Sequence, residues 1–263
     1  MSSIISVSNL VKKYKNVIAV DDITFTVERG EVFAFLGPNG AGKTTTIKVL
    51  TTLLFPTSGQ VAINGYNPTT QQDLVRKSFG IVFQDPSLDD ELTAWENLDF
   101  HGVLYGMDKA TRHKRMNDLL EIVQLSDKKK LLVKTFSGGM KRRLEIARGL
   151  IHHPLIYFLD EPTIGLDPQT RNQIWNYIIA LNKMEGTTVF FTTHYLEEAE
   201  RYSHRLAIID HGKIVACGDL AYLKDLTQSE HLEEAFLKLT GHEIREESAG
   251  TGDNIRMRLR ARR

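Results

Sequence analysis

The fold of this chain is decided by the stretch Gly37-Pro38-Asn39-Gly40-Ala41-Gly42-Lys43-Thr44. The stretch fits the pattern G-x-x-x-x-G-K-[ST], in which glycines allow the backbone to approach a phosphate closely. The apolar run at 32–36 before it predicts a buried strand, and the apolar residues after it recur at helical spacing. Strand, loop and helix together predict that backbone N–H groups and a helix N-terminus face an anion. In this motif Lys43 contacts the β- and γ-phosphates of a nucleotide and Thr44 binds Mg²⁺.

The composition is that of an ordinary globular protein. Of the 263 residues, 41% are apolar and 25% are charged, and Lys plus Arg balance Asp plus Glu at 33 each. This balance gives no support to nucleic acid as a partner, and we expect none. The single cysteine, Cys217, cannot form an internal disulfide and indicates a reducing compartment. The N-terminus has no pattern of a secretion signal, and no apolar run approaches the ~20 residues that span a bilayer. We therefore expect a cytoplasmic protein whose membrane role comes through a partner.

The first 65 residues predict an antiparallel sheet attached to an α/β core. Apolar and polar residues alternate around 5–7 and 23–27, which predicts two half-buried strands, and 61–63 predict a third. Tyr14 is expected in the loop between the first two strands. Its ring there either stacks on a purine base or covers the sheet as a partly exposed tyrosine, and the spacing does not decide between the two.

A mostly helical insertion is predicted between about residues 87 and 147. A strand candidate at 79–83 ends at Gln84, and a capping-box pattern at 93–96 marks the start of a helix. Near the end of the insertion, Ser137 and two glycines precede a further helical pattern. This is either a second anion-binding helix N-terminus or a helix cap and nothing more.

Polar residues follow two further buried strands. The strand at 156–159 ends in Asp160 and Glu161, whose side chains point to opposite sides. One of them can hold Mg²⁺ while the other faces a water, as phosphoryl transfer requires. The strand at 187–193 ends at His194. A phosphate contact is expected there because the other catalytic groups emerge at the same end of the core strands.

The remaining segments carry weaker signals. Asp167, followed by proline, predicts a helix N-cap, a role that does not exclude a functional one. A closing hairpin is predicted around 206–216, and a helix with one apolar face is predicted from about 230 to 239, ended by Gly241. The polar, arginine-rich residues 242–263 predict a disordered tail, with contact to anionic lipid or a partner as the alternative.

Taken together, these pieces resemble the ATP-binding-cassette (ABC) family of ATPases over roughly residues 4–220, in the family's motif order. The matching segments are Tyr14 for the aromatic loop that stacks on adenine, Gly37 to Thr45 for Walker A, Gln84 for the glutamine loop, Phe136 to Met140 for the signature motif, Asp160 and Glu161 for Walker B, Gly165-Leu166-Asp167 for the D-loop and His194 for the switch histidine. The signature departs from the usual Leu-Ser-Gly-Gly-Gln at its two ends. Its form resembles that of the ABC-2 type export subfamily, which includes daunorubicin-type drug-resistance ATPases.

The resemblance implies a fold class and a division of the chain. The fold would be α/β, a P-loop NTPase core with a mainly parallel sheet, an N-terminal antiparallel β-subdomain and an inserted α-helical subdomain. The ATPase domain is expected over 1–220, with the helical subdomain at about 87–147. A C-terminal helix at 221–241 and the tail at 242–263 would follow.

The resemblance also implies roles for single residues, with ATP and Mg²⁺ as ligands. The nucleotide would be bound by Tyr14, by the loop residues Gly37, Pro38, Asn39, Gly40, Ala41, Gly42, Lys43, Thr44 and Thr45, and, across a head-to-tail dimer, by Ser137, Gly138, Gly139 and Asp167. The Mg²⁺ site would be formed by Thr44, Gln84 and Asp160. The catalytic residues would be Lys43, Glu161, which polarises the attacking water, and His194, which senses the γ-phosphate.

The implied function is an ATP-hydrolysing subunit that powers export of a drug-like, lipid or polysaccharide substrate through a separate transmembrane permease. It would pair with a second copy or with another ATPase subunit. The permease would hold it on the inner face of the cell membrane. Two alternatives are an ABC ATPase that acts on translation or DNA, and an importer ATPase. The exporter is favoured because the chain has one cassette, an insertion too short for a coiled-coil arm, and no length for a regulatory β-domain after the cassette.

Overall fold

The computed structural model of the chain describes residues 3–241. In this range the strands are β1 (Ser3–Tyr14), β2 (Val17–Glu28), β3 (Val32–Leu36), β4 (Ser58–Ile63), β5 (Phe79–Val82), β6 (Ile156–Asp160), β7 (Thr188–Thr193), β8 (Arg205–Asp210) and β9 (Lys213–Gly218). The helices are α1 (Lys43–Leu50), α2 (Gln72–Ser78), α3 (Ala94–Leu104), α4 (Lys109–Ile122), α5 (Gly138–Gly149), α6 (Pro168–Glu185), α7 (Leu196–Tyr202), α8 (Leu220–Thr227) and α9 (Leu232–Thr240). Two short 3-10 helices, Ser126–Lys128 and Val133–Thr135, lie between α4 and α5.

The strands form two sheets. One is a three-stranded antiparallel sheet in the order β2-β1-β4. The other has six strands in the order β5-β6-β7-β3-β8-β9, and all of its pairs are parallel except β8 with β9. The predicted α/β fold with a mainly parallel sheet and an N-terminal antiparallel sheet is therefore confirmed.

The central strand β3 is shared by two hydrophobic clusters. All of its residues are buried, and successive side chains point to opposite faces. Phe33 and Phe35 pack in the cluster that includes the antiparallel sheet, where the ring of Phe25 lies 5.5 Å from that of Phe35. The other three side chains pack in the cluster formed with the helices. A strand that is covered on both faces reads as a continuous apolar run, which is the pattern seen at 32–36.

The segment between β5 and β6 is helical, and it contains α3, α4 and α5. The capping box at the start of α3 forms as expected: Thr93 accepts from the Glu96 backbone N–H, and Glu96 accepts from the Thr93 backbone N–H. Helix α5 continues to Gly149, two residues beyond the predicted end of the insertion at 147. The division of the chain into an ATPase domain and a helical subdomain stays a prediction.

Two expectations about local structure are wrong. Tyr14 is the last residue of β1 rather than a loop residue, because it pairs with Val17 and a turn of only two residues separates the strands. The single helix expected at 221–241 is two helices, α8 and α9. The break lies at Gln228, whose φ of 50° is left-handed and ends α8. The predicted disorder of 242–263 lies outside the described residues.

Within residues 3–241, no helix has the length and apolar character needed to cross a membrane.

Candidate active site

The candidate site forms where three neighbouring parallel strands end. The order β6-β7-β3 brings the residues after these strands to one edge of the sheet, with Leu36 opposite Thr193 and Asp160 opposite Thr192. The glycine-rich loop follows β3, Glu161 follows β6 and His194 follows β7. The loop therefore meets two groups that lie more than a hundred residues further along the chain, at the carboxyl ends of the strands, where ligands bind in open α/β sheets.

The loop is built so closely that glycine is required at two positions. A Cβ added to Gly37 would lie 2.2 Å from the carbonyl oxygen of Ile209. Gly42 has a φ of 109°, and a Cβ there would lie 2.5 Å from the carbonyl oxygen of Ala19. Gly42 is also the N-cap of α1, so the N–H groups of the first helical turn point toward the loop. This backbone cradle fits a phosphate group.

Lys43 is buried inside this cradle, where its side chain is 5% exposed. Its Nζ donates to the carbonyl oxygens of Gly37 and Pro38 at 2.7 and 3.1 Å. The same Nζ lies 3.1 Å from Oε1 of Glu161. The ammonium group thus connects the loop to the carboxylate that follows β6.

Glu161 is held at its backbone as well as at its side chain. Its φ of 48° is left-handed, which costs a non-glycine residue about 1–3 kcal/mol unless its surroundings fix it. Its N–H donates to Oγ1 of Thr192 at 3.0 Å, and its C=O accepts from Arg142 at 2.9 Å. Nδ1 of His194 lies 3.2 Å from Oε2, a close electrostatic contact without the geometry of an aligned hydrogen bond. Burial opposes ionisation of Glu161, but His194 and Lys43 outweigh it and lower the pKa of the carboxyl.

Asp160 and Thr44 supply neighbouring oxygen atoms. Oδ1 of Asp160 accepts from Oγ1 of Thr192 at 2.6 Å and from Oγ1 of Thr44 at 3.2 Å. A buried carboxylate beside a hydroxyl fits Mg²⁺, which binds few protein groups and completes its shell with water and substrate phosphates. Residues 3–241 contain no group of three or more His, Cys, Asp or Glu side chains arranged to hold a metal.

Several of these groups line an open cleft with a volume of about 290 Å³, whereas the predicted site residues Gly37, Pro38, Ala41, Asp160 and His194 are not part of its lining. Its lining contains several residues predicted from the sequence: Asn39, Gly40, Gly42, Lys43, Thr44, Thr45, Gln84 and Glu161. It also contains Ala19 and Ile164, which the motifs do not single out as ligands. Thr192 contacts both Asp160 and the Glu161 backbone but is not among the residues predicted from the sequence, although its place at the end of an apolar strand is a usable signal.

Other predicted residues lie outside this lining. Tyr14 is absent from it, and its ring instead lies 5.1 Å from Nζ of Lys12. Ser137 is the N-cap of α5 and accepts from the Met140 N–H at 3.3 Å. Asp167 is the N-cap of α6, as the sequence predicts.

The two caps lie near each other. A Cβ added to Gly139 would lie 2.9 Å from the methyl group of Thr170, whose N–H donates to Asp167 at 3.0 Å. The start of α5 and the start of α6 therefore form one surface, which is not part of the lining of the cleft.

Replacement of Asp160 tests the cost of its burial. Burial raises the pKa of Asp160 above its usual value of 3.8, against the hydrogen bonds from Thr192 and Thr44. When the pKa of a carboxyl is higher in the folded than in the unfolded protein, the free energy of unfolding falls as the pH rises from the unfolded-state pKa to the folded-state pKa. At a pH above both values the whole of this loss is present. At pH 7 we therefore expect Asp160→Asn to stabilise the nucleotide-free protein by about 1 kcal/mol, or about 2–4 °C in Tm.

Thermal unfolding with and without Mg²⁺ and ATP measures both consequences of this change. Mg²⁺ and ATP should raise the Tm of the variant less than that of the parent, because asparagine lacks the anionic oxygen that would bind the ion. Asp127→Asn, at a side chain that is 71% exposed, is the control. A lower Tm of the Asp160 variant without nucleotide would contradict the prediction.

Comparisons with known proteins agree with this geometry. The family model described as "ABC transporter" matches residues 20–164. The chain is 45% identical over 220 residues to the daunorubicin/doxorubicin resistance ATP-binding protein DrrA of Streptomyces peucetius, covering 84% of this chain and 66% of that protein. It is 43% identical over 215 residues to the Nod factor export ATP-binding protein I of Ralstonia nicotianae, covering 82% and 67% respectively. The chain thus spans slightly less than two thirds of the length of DrrA.

A solved structure has the same architecture. It is the dimeric structure of a post-hydrolysis state of the ATP-binding cassette MJ0796 bound to ADP and Pi. The superposition has a TM-score of 0.75 at 28% identity and covers 82% of this chain and 98% of that one. The family model covers more than half of the chain, and the fold and the sequence likeness agree with it. This chain belongs to the ABC transporter family.

Proposed function

We propose that this chain binds and hydrolyses ATP as the ATPase subunit of an exporter. The observation that carries the proposal is the meeting of the glycine-rich loop, Lys43, Asp160, Glu161 and His194 at the ends of β3, β6 and β7. A phosphate cradle, an oxygen site for a divalent cation and an ionised carboxylate are the parts that phosphoryl transfer to water requires.

The loop and its neighbours would bind MgATP. The backbone N–H groups of the first turn of α1 and the ammonium of Lys43 suit the phosphates. Mg²⁺ would be held by Thr44 and Asp160, together with Gln84, which lines the same cleft. When bound, the ion neutralises charge on the phosphate oxygens.

Glu161 would act as the base that orients and polarises the attacking water. Its lowered pKa keeps the carboxylate ionised at neutral pH, which a base needs. Lys43 and His194 both contact this carboxylate, so the two side chains that would meet the phosphates also orient the base. This arrangement supports roles for all three in hydrolysis.

The site would be completed by a second ATPase chain. The N-terminus of α5, with Ser137 as its cap and Gly139 beside it, lies outside the lining of the cleft in its own chain. A helix N-terminus favours an anion, so a head-to-tail partner could turn this end toward the γ-phosphate. MJ0796 is dimeric in its ADP and Pi structure, which supports this arrangement. The partner is either a second copy or a related ATPase subunit.

A membrane permease is the second partner that we propose. Helix α3 exposes three large apolar side chains, those of Phe100, Val103 and Leu104, which are 52–66% exposed. Exposed apolar side chains that are grouped on one helix are typical of an interaction site. The permease would bind between this helical region and the core, and would hold the chain at the inner face of the cell membrane.

Export is favoured over the other transport directions and roles. One relative is named for resistance to daunorubicin and doxorubicin, and another for export of Nod factor, and both names fit an ATPase that drives molecules outward. We infer a drug-like, lipid or polysaccharide cargo. Co-purification with a polytopic membrane protein supports a transporter, and co-purification with ribosomes or DNA would overturn it in favour of the first alternative. ATP-driven uptake into inside-out vesicles distinguishes export from import.

Lys43→Ala tests the nucleotide site. We expect ATP to bind about 10–100-fold more weakly, because a charge-assisted contact to phosphate is lost, and hydrolysis at micromolar ATP to vanish. Phosphate release and titration with a fluorescent ATP analogue measure the two effects. Lys48→Ala is a matched control, since Lys48 lies on the same helix with an exposed side chain. An unchanged titration curve for the Lys43 variant would remove this lysine from the site.

A further inference from the structure

Arg142 lies in the first half of α5, and its guanidinium group is buried between three backbone carbonyl groups. Its side chain is only 8% exposed. Nε donates to the carbonyl oxygen of Pro162 at 2.6 Å, and the two terminal nitrogens donate to those of Phe83 and Glu161 at 2.5 and 2.9 Å. None of these acceptors belongs to α5, so the guanidinium fixes two distant segments of backbone against this helix.

Both segments carry residues of the candidate site. Phe83 comes directly before Gln84, which lines the cleft. Pro162 comes directly after Glu161. Arg142 therefore links the wall that would reach the metal to the residue that would act as base. It also ties both to the helix whose N-cap is Ser137.

The contact with Glu161 falls at a backbone that needs support. Glu161 has a left-handed φ of 48°, and such a conformation persists in a non-glycine residue only where neighbouring groups fix it. Thr192 fixes its N–H, and its C=O accepts from Arg142 at 2.9 Å and from the Ile164 N–H at 3.3 Å. Loss of the shorter, charge-assisted contact leaves the carbonyl with the longer one alone, so the peptide and the carboxylate beside it are less firmly fixed.

Glu145 pairs with Arg142 and connects α5 to the backbone at Ser87. Its side chain is 1% exposed and lies 3.1 Å from Arg142. Its other oxygen accepts from the backbone N–H of Ser87 at 2.7 Å, and Arg148 donates to the carbonyl oxygen of Ser87 at 2.5 Å. Side chains at positions 142, 145 and 148 thus form one row on α5 that holds both ends of the segment at 83–87.

We propose that Arg142 is a positioning residue for ATP hydrolysis, acting through the backbone of Glu161 and of the segment at 83–87. It does not line the cleft and is not expected to touch the nucleotide. Its role is to set the distance and angle of the base relative to the metal-binding wall. The inference rests on the proposed hydrolytic function and adds a residue to it.

Arg142→Met tests the proposal against a purely structural role. We expect kcat for ATP hydrolysis to fall about 10–100-fold, because a displacement near 1 Å at a catalytic group has an effect of this size. The affinity of the isolated chain for the ATP analogue should change less than twofold. Arg142→Lys retains the charge beside Glu145 but cannot reach three carbonyl groups, so it should fold well and recover only part of kcat.

Arg115 provides the matched control. Its side chain is also 8% exposed, it pairs with Glu185 at 2.5 Å, and it donates to the carbonyl oxygen of Leu150 at 3.0 Å. Arg115→Met removes a buried ion pair of the same kind away from the cleft, so both variants should lose thermal stability. Only the Arg142 variant should lose kcat when rates are expressed per folded molecule.

A second measurement tests whether the loss of kcat in Arg142→Met depends on Glu161. In the Glu161→Gln background, adding Arg142→Met should lower the residual single-turnover rate less than twofold, since residues that act as a unit are not additive. The proposal would be overturned if Arg142→Met and Arg115→Met lost kcat equally, or if kcat were unchanged in both Arg142→Met and Arg142→Lys. It would also be overturned if Arg142→Met lowered the rate as much in the Glu161→Gln background as in the parent. If Arg142→Met does not fold, Arg142→Lys decides by the same criteria. Absence of hydrolysis by the parent chain, with or without its permease, would instead refute the proposed function.

Discussion

Glu161→Gln is expected to lower kcat for ATP hydrolysis about 10²–10⁴-fold while ATP binding is retained. The amide has the shape of the carboxylate, and the backbone contacts of Glu161 to Thr192 and Arg142 do not involve the side chain. The variant therefore keeps its backbone contacts and loses the negative charge, which pairs with Lys43 and would polarise the attacking water. With chemistry blocked, the ATP-bound dimer should stay closed and elute as a dimer in size-exclusion chromatography with MgATP.

The measurements for this prediction are single-turnover hydrolysis, nucleotide titration and dimer content. Glu197→Gln is a suitable control, because it makes the same change at an exposed residue of α7. Turnover within a few-fold of the parent would assign the base to another residue. Loss of ATP binding together with turnover would mean that Glu161 supports the site rather than the chemistry.

Ser137→Arg is expected to block ATP-driven dimerisation and to lower kcat by at least about 100-fold. In the proposed dimer the N-terminus of α5 would complete the phosphate site of the partner, and an arginine there is too large for a closed interface. The isolated chain should bind ATP normally, because Ser137 does not line its own cleft. Loss of the cap on the Met140 N–H should reduce stability by about 1 kcal/mol.

The control for Ser137→Arg is a cap of the same kind elsewhere. Asp108 caps α4 by accepting from the Thr111 N–H at 3.0 Å and is exposed. Asp108→Arg therefore removes a cap and adds an arginine without entering the proposed dimer surface. Sedimentation with MgATP, in the Glu161→Gln background, measures dimer formation. Unimpaired dimerisation of the Ser137 variant would remove the cross-chain site from the proposal.

The sequence allowed much of the fold and the centre of the site to be predicted, because the signals for both are local. The continuous apolar run of β3 and the glycine-rich loop after it identify a strand, a loop and a helix without knowledge of the rest of the chain. Asp160 is the last residue of an apolar strand, Glu161 and His194 each directly follow a strand, and parallel strands bring such positions together. The resemblance to a known family then supplied the roles that geometry alone does not assign.

The supporting contacts could not be predicted because they depend on residues that are distant in the chain. Arg142 belongs to a run of basic residues on a helix, which is typical of an exposed surface. Its burial is decided by where the backbone at 83 and at 161–162 comes to lie. Tyr14 and Gln228 show the same limit on a smaller scale, since the length of a turn and the end of a helix are decided by single backbone conformations.

The 3.1 Å contact between Lys43 and Glu161 has a consequence for the chain before it binds a nucleotide. With Glu161 as the base, its charge is cancelled by the same cation that would later grip the triphosphate. Binding of ATP and release of Glu161 from Lys43 then occur together, because the triphosphate must compete with the carboxylate for the ammonium group. An empty site would therefore keep its base paired and inactive until a nucleotide binds.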